Sequence, residues 1–459
     1  MDDYRRLADR LADDIAAGRL KPGQRLPPQR AFARRRGIAG STAGRVYGEL
    51  VRRGLVVGEV GRGTFVRAAP AAPMGRALTE PTTAAPMGRA LNEPTTAAPV
   101  NLELNYPSAP GQSELLAPAL APLLRPDVLA EALLPAPADG TAAARDAAAA
   151  LLVTPGWRPG PGQLLFTGNA RQAIAATLAS LVRPGGRLGV EPLTYPVVKE
   201  IAARLGITPV PLAADEEGPL PESVAAAHRT APLSALYVQP TLHNPTSVTM
   251  TEERKRQLAA VAVDVGVLIV EDRIWSFLAD GDPLAVHAPR ITHVVDGLSK
   301  RVAPGLTVGF AVVPPWRGEA VADAIRSGGW SAGRFALEAA VRWIGDGTVA
   351  RLVAAKRADA GRRQRILQEE LHGFAVRSDP RAYYAWWELP APWRADTFTA
   401  AAAAHGIAVT PGPAFVVDPS RTPDAVRLGL ASAAEPDLRR ALRTLADVAG
   451  RGADTRTGR

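Results

Sequence analysis

Three observations predict an α/β body behind a winged helix-turn-helix. From residue 101 onward, apolar strand-like runs alternate with amphipathic helical ones, which argues for a largely parallel sheet. Before residue 68, three short helical segments precede a glycine-tipped hairpin, the order of a winged helix-turn-helix. The charge is also lopsided. Residues 1–68 hold 15 Lys and Arg against 7 Asp and Glu, within a chain of net charge +9. A basic end of that kind suggests nucleic acid.

The head starts with helical periodicity over 3–17, where Leu7, Leu11 and Ile15 share a face. Leu20-Lys21-Pro22-Gly23 is a turn signal. Helices over about 28–36 and 41–53 are separated by Gly37. Leu55 to Val57 and Thr64 to Val66 then read as short strands flanking Gly61-Arg62-Gly63. Residues 69–100 are rich in Ala, Pro and Thr, and Ala71 to Thr83 recurs as Ala84 to Thr96 with only Thr79 becoming Asn92. A 13-residue unit occurring twice is too short for a solenoid. It reads as a semi-extended linker with a reach of at most about 100 Å.

In the body, strands are expected at Leu164–Thr167, Arg187–Val190, Ala235–Val238, Val267–Glu271, His293–Val295 and Val308–Val313. Helices are expected over 171–182, 195–204 and 251–265. From about 335 the pattern is helical and then mixed. This divides the body into a large part, about 101–330, and a small part, about 331–459.

At 459 residues, 47% hydrophobic and 22% charged, the composition is that of a globular protein. No run of about 18 apolar residues appears, and the start of the chain lacks an apolar signal core, so a cytoplasmic protein with no membrane span is expected. The absence of cysteine excludes disulfides and thiolate metal sites. Six scattered histidines carry no metal-site spacing, so no metal is expected.

The chemistry centres on Lys300, in Gly297-Leu298-Ser299-Lys300-Arg301, just after the apolar run His293-Val294-Val295. A lysine so placed can form a Schiff base with pyridoxal 5′-phosphate (PLP) if an acid meets the pyridinium nitrogen. Asp272 closes an apolar strand and offers that acid. Gly168-Asn169-Ala170 follows a strand and opens a helix, a place where free N–H groups can face a phosphate. Tyr195 lies in Leu193-Thr194-Tyr195-Pro196, Asn244 in His243-Asn244-Pro245-Thr246, and Arg427 in Ala425-Val426-Arg427-Leu428-Gly429.

In this order, over roughly residues 101–459, these motifs resemble the fold-type I, PLP-dependent aminotransferases, with a large and a small domain. The resemblance implies that Gly168, Asn169, Ala170 and Ser299 hold the cofactor phosphate. Tyr195 would stack on the ring, and Asn244 would bond its phenolic oxygen. Asp272 would meet the ring nitrogen, Lys300 would carry the Schiff base, and Arg427 would bind a substrate or effector carboxylate. Three positions depart from the pattern. Ser247 replaces a glycine. Trp275 replaces a tyrosine that contacts the phenolic oxygen. Thr307 replaces the arginine that clamps the phosphate, and losing such a charge-assisted pair costs about 1.5–3 kcal/mol.

Residues 4–67 resemble the GntR family through Gly18 to Arg30, Arg45-Val46-Tyr47-Gly48-Glu49-Leu50 and Gly61 to Val66. By that resemblance Arg30 contacts DNA, Ser41 and Thr42 begin the recognition helix, and the wing tip at Gly61 and Arg62 enters the minor groove. Gly40 and Gly44 stand where the family carries base-reading arginines, which alters or weakens sequence readout. Arg34, Arg35, Arg36 and Arg45 remain available for phosphate contacts, which carry affinity and little specificity.

The two resemblances together give the architecture of MocR-type regulators. They imply a homodimer, head to tail, that binds double-stranded DNA and senses PLP or an amine or amino-acid effector. On this reading Lys300 anchors a sensor more than a turnover catalyst. Two alternatives stay open at the level of sequence: an active aminotransferase with a vestigial head, and a regulator whose body has lost PLP and serves as a scaffold.

Overall fold

The computed structural model describes residues 3–59, 63–67 and 100–454. The tandem repeat and the wing tip, Gly61 and Arg62, lie outside the described residues.

The head folds as helices Asp3–Ala16, Gln29–Arg36 and Gly40–Arg52, followed by antiparallel strands Val56–Glu59 and Gly63–Val66. Gly37 ends the second helix with φ 62°, and its N–H returns to the carbonyls of Ala33 and Arg34. That left-handed cap suits glycine because it has no Cβ to clash. Ala8, Val46, Leu50 and Val66 form a fully buried core, with Phe32 and Tyr47 edge to face at 5.4 Å. The recognition helix is thereby fixed against its neighbours by one face only.

The body is built on a seven-stranded sheet. Its order is Leu164–Thr167, Gly309–Val312, Thr292–Gly297, Leu268–Asp272, Ala235–Val238, Arg187–Val190, Thr208–Pro211. Gly309–Val312 is antiparallel to both neighbours and the other pairs are parallel. Strands covered on both faces read as unbroken apolar runs, as Ala235–Val238 does. The edge strand Thr208–Pro211 is absent from the sequence expectation. Its prolines, Pro209 and Pro211, are breaker signals, but a sheet edge tolerates them because half its N–H groups need no partner.

A four-stranded antiparallel sheet lies in the C-terminal part, in the order Val376–Ser378, Tyr384–Glu388, Ala425–Gly429, Thr410–Pro411. Its register places Arg427 between Trp386 and Thr410. The short strand Val100–Asn101, where the chain re-enters the described structure, pairs with Ile407–Ala408 of this part. The head also touches it: the Arg394 guanidinium lies 4.3 Å from the centre of the Phe65 ring. Among the described residues no helix is long and apolar enough to cross a membrane.

Candidate functional site

The carboxyl ends of the parallel strands converge on one side of the sheet, the usual place for a ligand in an open α/β fold. Asp272 ends its strand there, Gln239 follows Ala235–Val238, and Ser299 and Lys300 follow Thr292–Gly297. Together they line a cavity of about 310 Å³, within the size range of cofactor sites. Asn169, Ala170, Tyr195, Asn244, Trp275 and Thr307 also reach its wall, and Arg427 closes it from the small sheet. Gly168 sits one residue behind the wall, its N–H bonded to Trp330 O at 3.2 Å. A Cβ there would meet Gln172 Oε1 at 2.6 Å, so any larger residue would have to displace the Gln172 side chain.

Asp272 is buried and accepts bonds from Tyr237 Oη (2.6 Å), Gln239 Nε2 (2.9 Å) and the Ile274 N–H (3.0 Å). Burial raises its pKa above the usual range, and these donors oppose the shift. A cationic partner would complete the compensation. Gln239 also accepts from the Asn244 N–H at 3.1 Å, which ties the acid to the Asn244 turn.

Lys300 Nζ lies between Tyr106 and Trp275, 4.2 and 5.0 Å from their ring centres, and donates to Asn105 O at 2.5 Å. Burial, followed by the charges of Arg171, Arg427 and Lys356, pulls the amine well below the ordinary lysine range. A downward shift raises the neutral, nucleophilic fraction of a lysine. Its backbone is gripped by a second lysine that has no sequence signature. Lys356, on the 23-residue helix Thr348–Glu370, donates to the carbonyls of Lys300 (3.0 Å), Arg301 (3.0 Å) and Val302 (2.7 Å).

At the Thr307 end, the helix Ala170–Leu181 presents its N-terminus, capped by Asn169 Oδ1, which accepts from the Gln172 N–H. Thr307 Oγ1 is buried without a partner. Of the two arginines next to the cofactor motifs, one after Lys300 and one after Ala170, Arg301 is turned away, paired with Asp296 and stacked on Phe277. Arg171 reaches the cavity and donates from Nε to Tyr195 Oη at 3.2 Å.

At the other end, Arg427 donates to Glu103 O and to Thr410 Oγ1 (3.0 Å), and its Nε has no partner. Burial lowers its pKa to about 10. Glu103, Asn105 and Tyr106 are therefore site residues that no motif announced. They sit in an irregular stretch far from the other motifs, and only the tertiary fold brings them in.

Glu191 and His243 form a buried layer behind the wall, Nε2 to Oε2 3.6 Å. Burial pushes the Glu191 carboxyl up to about 8 and pulls His243 down to about 4. At neutral pH the pair is a neutral acid beside a neutral imidazole. Because the folded Glu191 value lies above its unfolded one of 4.5, its contribution to stability is present below that value and lost as pH rises through about 8. The melting temperature is expected to fall between about pH 6 and 8.5, and Glu191→Gln to flatten that fall by several degrees. Parallel thermal melts across the two pH values check this, and equal slopes in both proteins would refute it.

In the head, Ser41 and Thr42 occupy the first turn of Gly40–Arg52, and Arg30, Arg34, Arg35 and Arg36 are exposed. Arg45 stacks on Tyr4 at 4.0 Å, so its guanidinium is already engaged within the head. A Cβ at Gly40 would meet nothing and one at Gly44 only ordinary contact with Gln29, so packing does not demand glycine at either position.

Comparison with known proteins gives two matches within the chain. Residues 132–445 match the aminotransferase class I and II family, and residues 3–66 match the gntR family of bacterial regulatory proteins. An uncharacterised HTH-type transcriptional regulator of Bacillus subtilis, YdeF, is 28% identical over 429 residues, 93% of this chain and 90% of that protein. The HTH-type pyridoxine biosynthesis transcriptional regulator PdxR of Corynebacterium glutamicum is 26% identical over 215 residues, 46% of each. The aspartate aminotransferase of Thermus thermophilus with maleate superposes with a TM-score of 0.67 at 25% identity, covering 76% of this chain and 92% of that one.

Proposed function

This chain belongs to the aminotransferase class I and II family and carries a gntR-family head, the MocR-type architecture; from that premise we propose that this DNA-binding regulator holds PLP at Lys300 and alters its grip on DNA when an amine or amino acid enters the same cavity. The residues fit that cofactor. Asn244 Oδ1, Thr307 Oγ1 and Arg427 Nε are buried atoms without partners at the cavity wall. Each such atom costs about 1–3 kcal/mol unless a ligand satisfies it. PLP supplies an aldehyde that condenses with amines and a ring that draws in electrons.

Each residue has a task in this reading. Lys300 attaches the cofactor, and Asp272 keeps a proton on the ring nitrogen. Tyr195 covers the ring, and Asn244 meets its phenolic oxygen. Ser299 and the N–H groups at Asn169 and Ala170 face the phosphate, with Gly168 shaping their turn. Trp275 walls the lysine side, where it can donate a hydrogen bond but not accept one. Arg427 takes a carboxylate in bidentate fashion.

The observation that carries the regulatory reading is a shared strap. Lys300 and Arg427 both donate to main-chain carbonyls of one stretch, those of Asn105 and Glu103. That stretch begins at Val100, where the chain leaves the linker to the head. Lys300 Nζ cannot be engaged covalently and keep its full bond to Asn105 O, while a carboxylate on the free Nε of Arg427 draws on the same guanidinium that holds Glu103 O. Ligand capture therefore competes with the strap, and the differential contact shifts the population of head positions. We take residues 1–68 as the head, 69–100 as the linker and 101–459 as the body. A linker reaching about 100 Å lets each head of a cytoplasmic homodimer lie over the partner subunit. Arg30, Ser41, Thr42, Arg45, Gly61 and Arg62 would form its DNA-facing surface.

The complete set of Lys300, Asp272 and Arg427 also favours a second reading, an active aminotransferase. One experiment separates the two. Binding to DNA from upstream of the protein's own gene is measured by anisotropy with and without PLP and amino acids, beside steady-state transamination. The sensor reading expects DNA affinity to move at least about fivefold, with turnover below about 1 per second. Constant DNA affinity beside ordinary turnover would overturn it.

A further inference from the structure

We infer that the effector is a diamino acid, one whose carboxylate is taken by Arg427 and whose side-chain ammonium is taken by Glu103. The inference rests on the sensor reading above and specifies its ligand class.

Two observations converge on it. The first is the anionic half of the wall. Glu103 lines the cavity half-buried, and among the described residues its carboxylate makes no hydrogen bond or ion pair. Glu200 stands at the exposed rim of the same cavity, also without an ion pair. The second is Arg427, only 7% exposed, with Nε unpartnered and the guanidinium tied to the main-chain carbonyl of Glu103 itself. The carboxylate-binding cation and a carboxylate that only its charge offsets thus line one cavity.

That juxtaposition selects by charge. A ligand with a carboxylate and an apolar side chain satisfies Arg427 and leaves Glu103 facing a second anion. A dicarboxylate adds repulsion. A ligand with a further ammonium satisfies both groups, and its α-amine is left for the aldehyde carbon of a PLP that Lys300 would hold. Burial raises the pKa of Glu103 and the charge of Arg427 lowers it, so a bound cation helps keep the carboxylate ionised. Arg171, the other guanidinium at the wall, is oriented toward Tyr195 by its Nε hydrogen bond.

Ornithine, norvaline and glutamate form the test set, because the first two differ only by the terminal ammonium. Binding is measured by calorimetry on the full chain, with and without PLP, and PLP attachment is followed separately by absorbance. Ornithine is expected to bind about tenfold tighter than norvaline, with glutamate weakest. Glu103→Gln is expected to erase the difference between ornithine and norvaline, weakening ornithine and relieving the repulsion felt by norvaline. Equal affinity for ornithine and norvaline, a preference for glutamate, or an ornithine preference that survives Glu103→Gln would overturn the inference. Failure of PLP to attach would count against the earlier reading alone, because the charge preference is also read on protein without PLP.

Discussion

Lys300→Met is expected to still bind DNA, and to bind it equally with and without PLP and amino acids. The head is untouched by the substitution, since the gntR-family match and the core beneath it lie within residues 3–66. The cavity, by contrast, loses the one lysine amine that lines it. Of the five lysines in the chain, Lys199 donates to Ala414 O and Val416 O, Lys255 to Glu252 and Asp282 O, and Lys356 to three carbonyls, while Lys21 is exposed in the head. None of them lines the cavity, so none can replace Lys300. Removing covalent attachment is expected to weaken PLP binding at least about a hundredfold. The variant also lacks the bond to Asn105 O, so of the two cavity cations only Arg427 still holds the strap, beside its bonds to Ala431 and Ser432. Anisotropy on one DNA fragment, with and without ligands, checks the result. A ligand response equal to that of the wild type would remove Lys300 from the account.

Lys356→Met is expected to be the most destabilising single change at the site. The ammonium is fully buried and satisfies three carbonyls in a row, those of Lys300, Arg301 and Val302. Burial lowers its pKa to about 8, so it remains mostly charged at neutral pH. Charge-assisted bonds contribute about 1.5–3 kcal/mol each. Stranding the three carbonyls with partial relaxation should cost about 3–5 kcal/mol. The same loss frees the backbone that aims Lys300, so PLP affinity should fall about tenfold in protein that is still folded. Urea denaturation measures the first effect and PLP titration the second, with Lys356→Arg recovering part of both. Unchanged stability together with unchanged PLP affinity would show that this clamp positions nothing.

These two lysines mark the boundary of what could be read in the sequence. Lys300 was legible because a strand, a glycine, a serine and the lysine are contiguous. Asp272 and Asn244 were legible for the same reason, and the structure brings all three to one cavity wall. Lys356 was not, because it acts from a helix 56 residues onward and its partners are main-chain carbonyls, which leave no trace in composition. Glu103, Asn105 and Tyr106 were missed for a similar cause: they follow a two-residue strand whose partner, Ile407–Ala408, lies some 300 residues away. The edge strand Thr208–Pro211 was hidden by its prolines. Thr307 was flagged as a lost phosphate clamp. The structure removes Arg301 as a substitute, since Asp296 holds it, and leaves Arg171 as the guanidinium at the wall.

The central claim is that PLP is held at Lys300, and reductive trapping tests it most directly. Protein incubated with PLP is reduced with borohydride and digested, and the peptides are mapped by mass spectrometry. With five lysines in the sequence, every attachment site can be assigned. The account predicts one phosphopyridoxyl group per chain, on the peptide containing Lys300. An unlabelled Lys300 peptide, or label spread over Lys21 and other lysines, would contradict it.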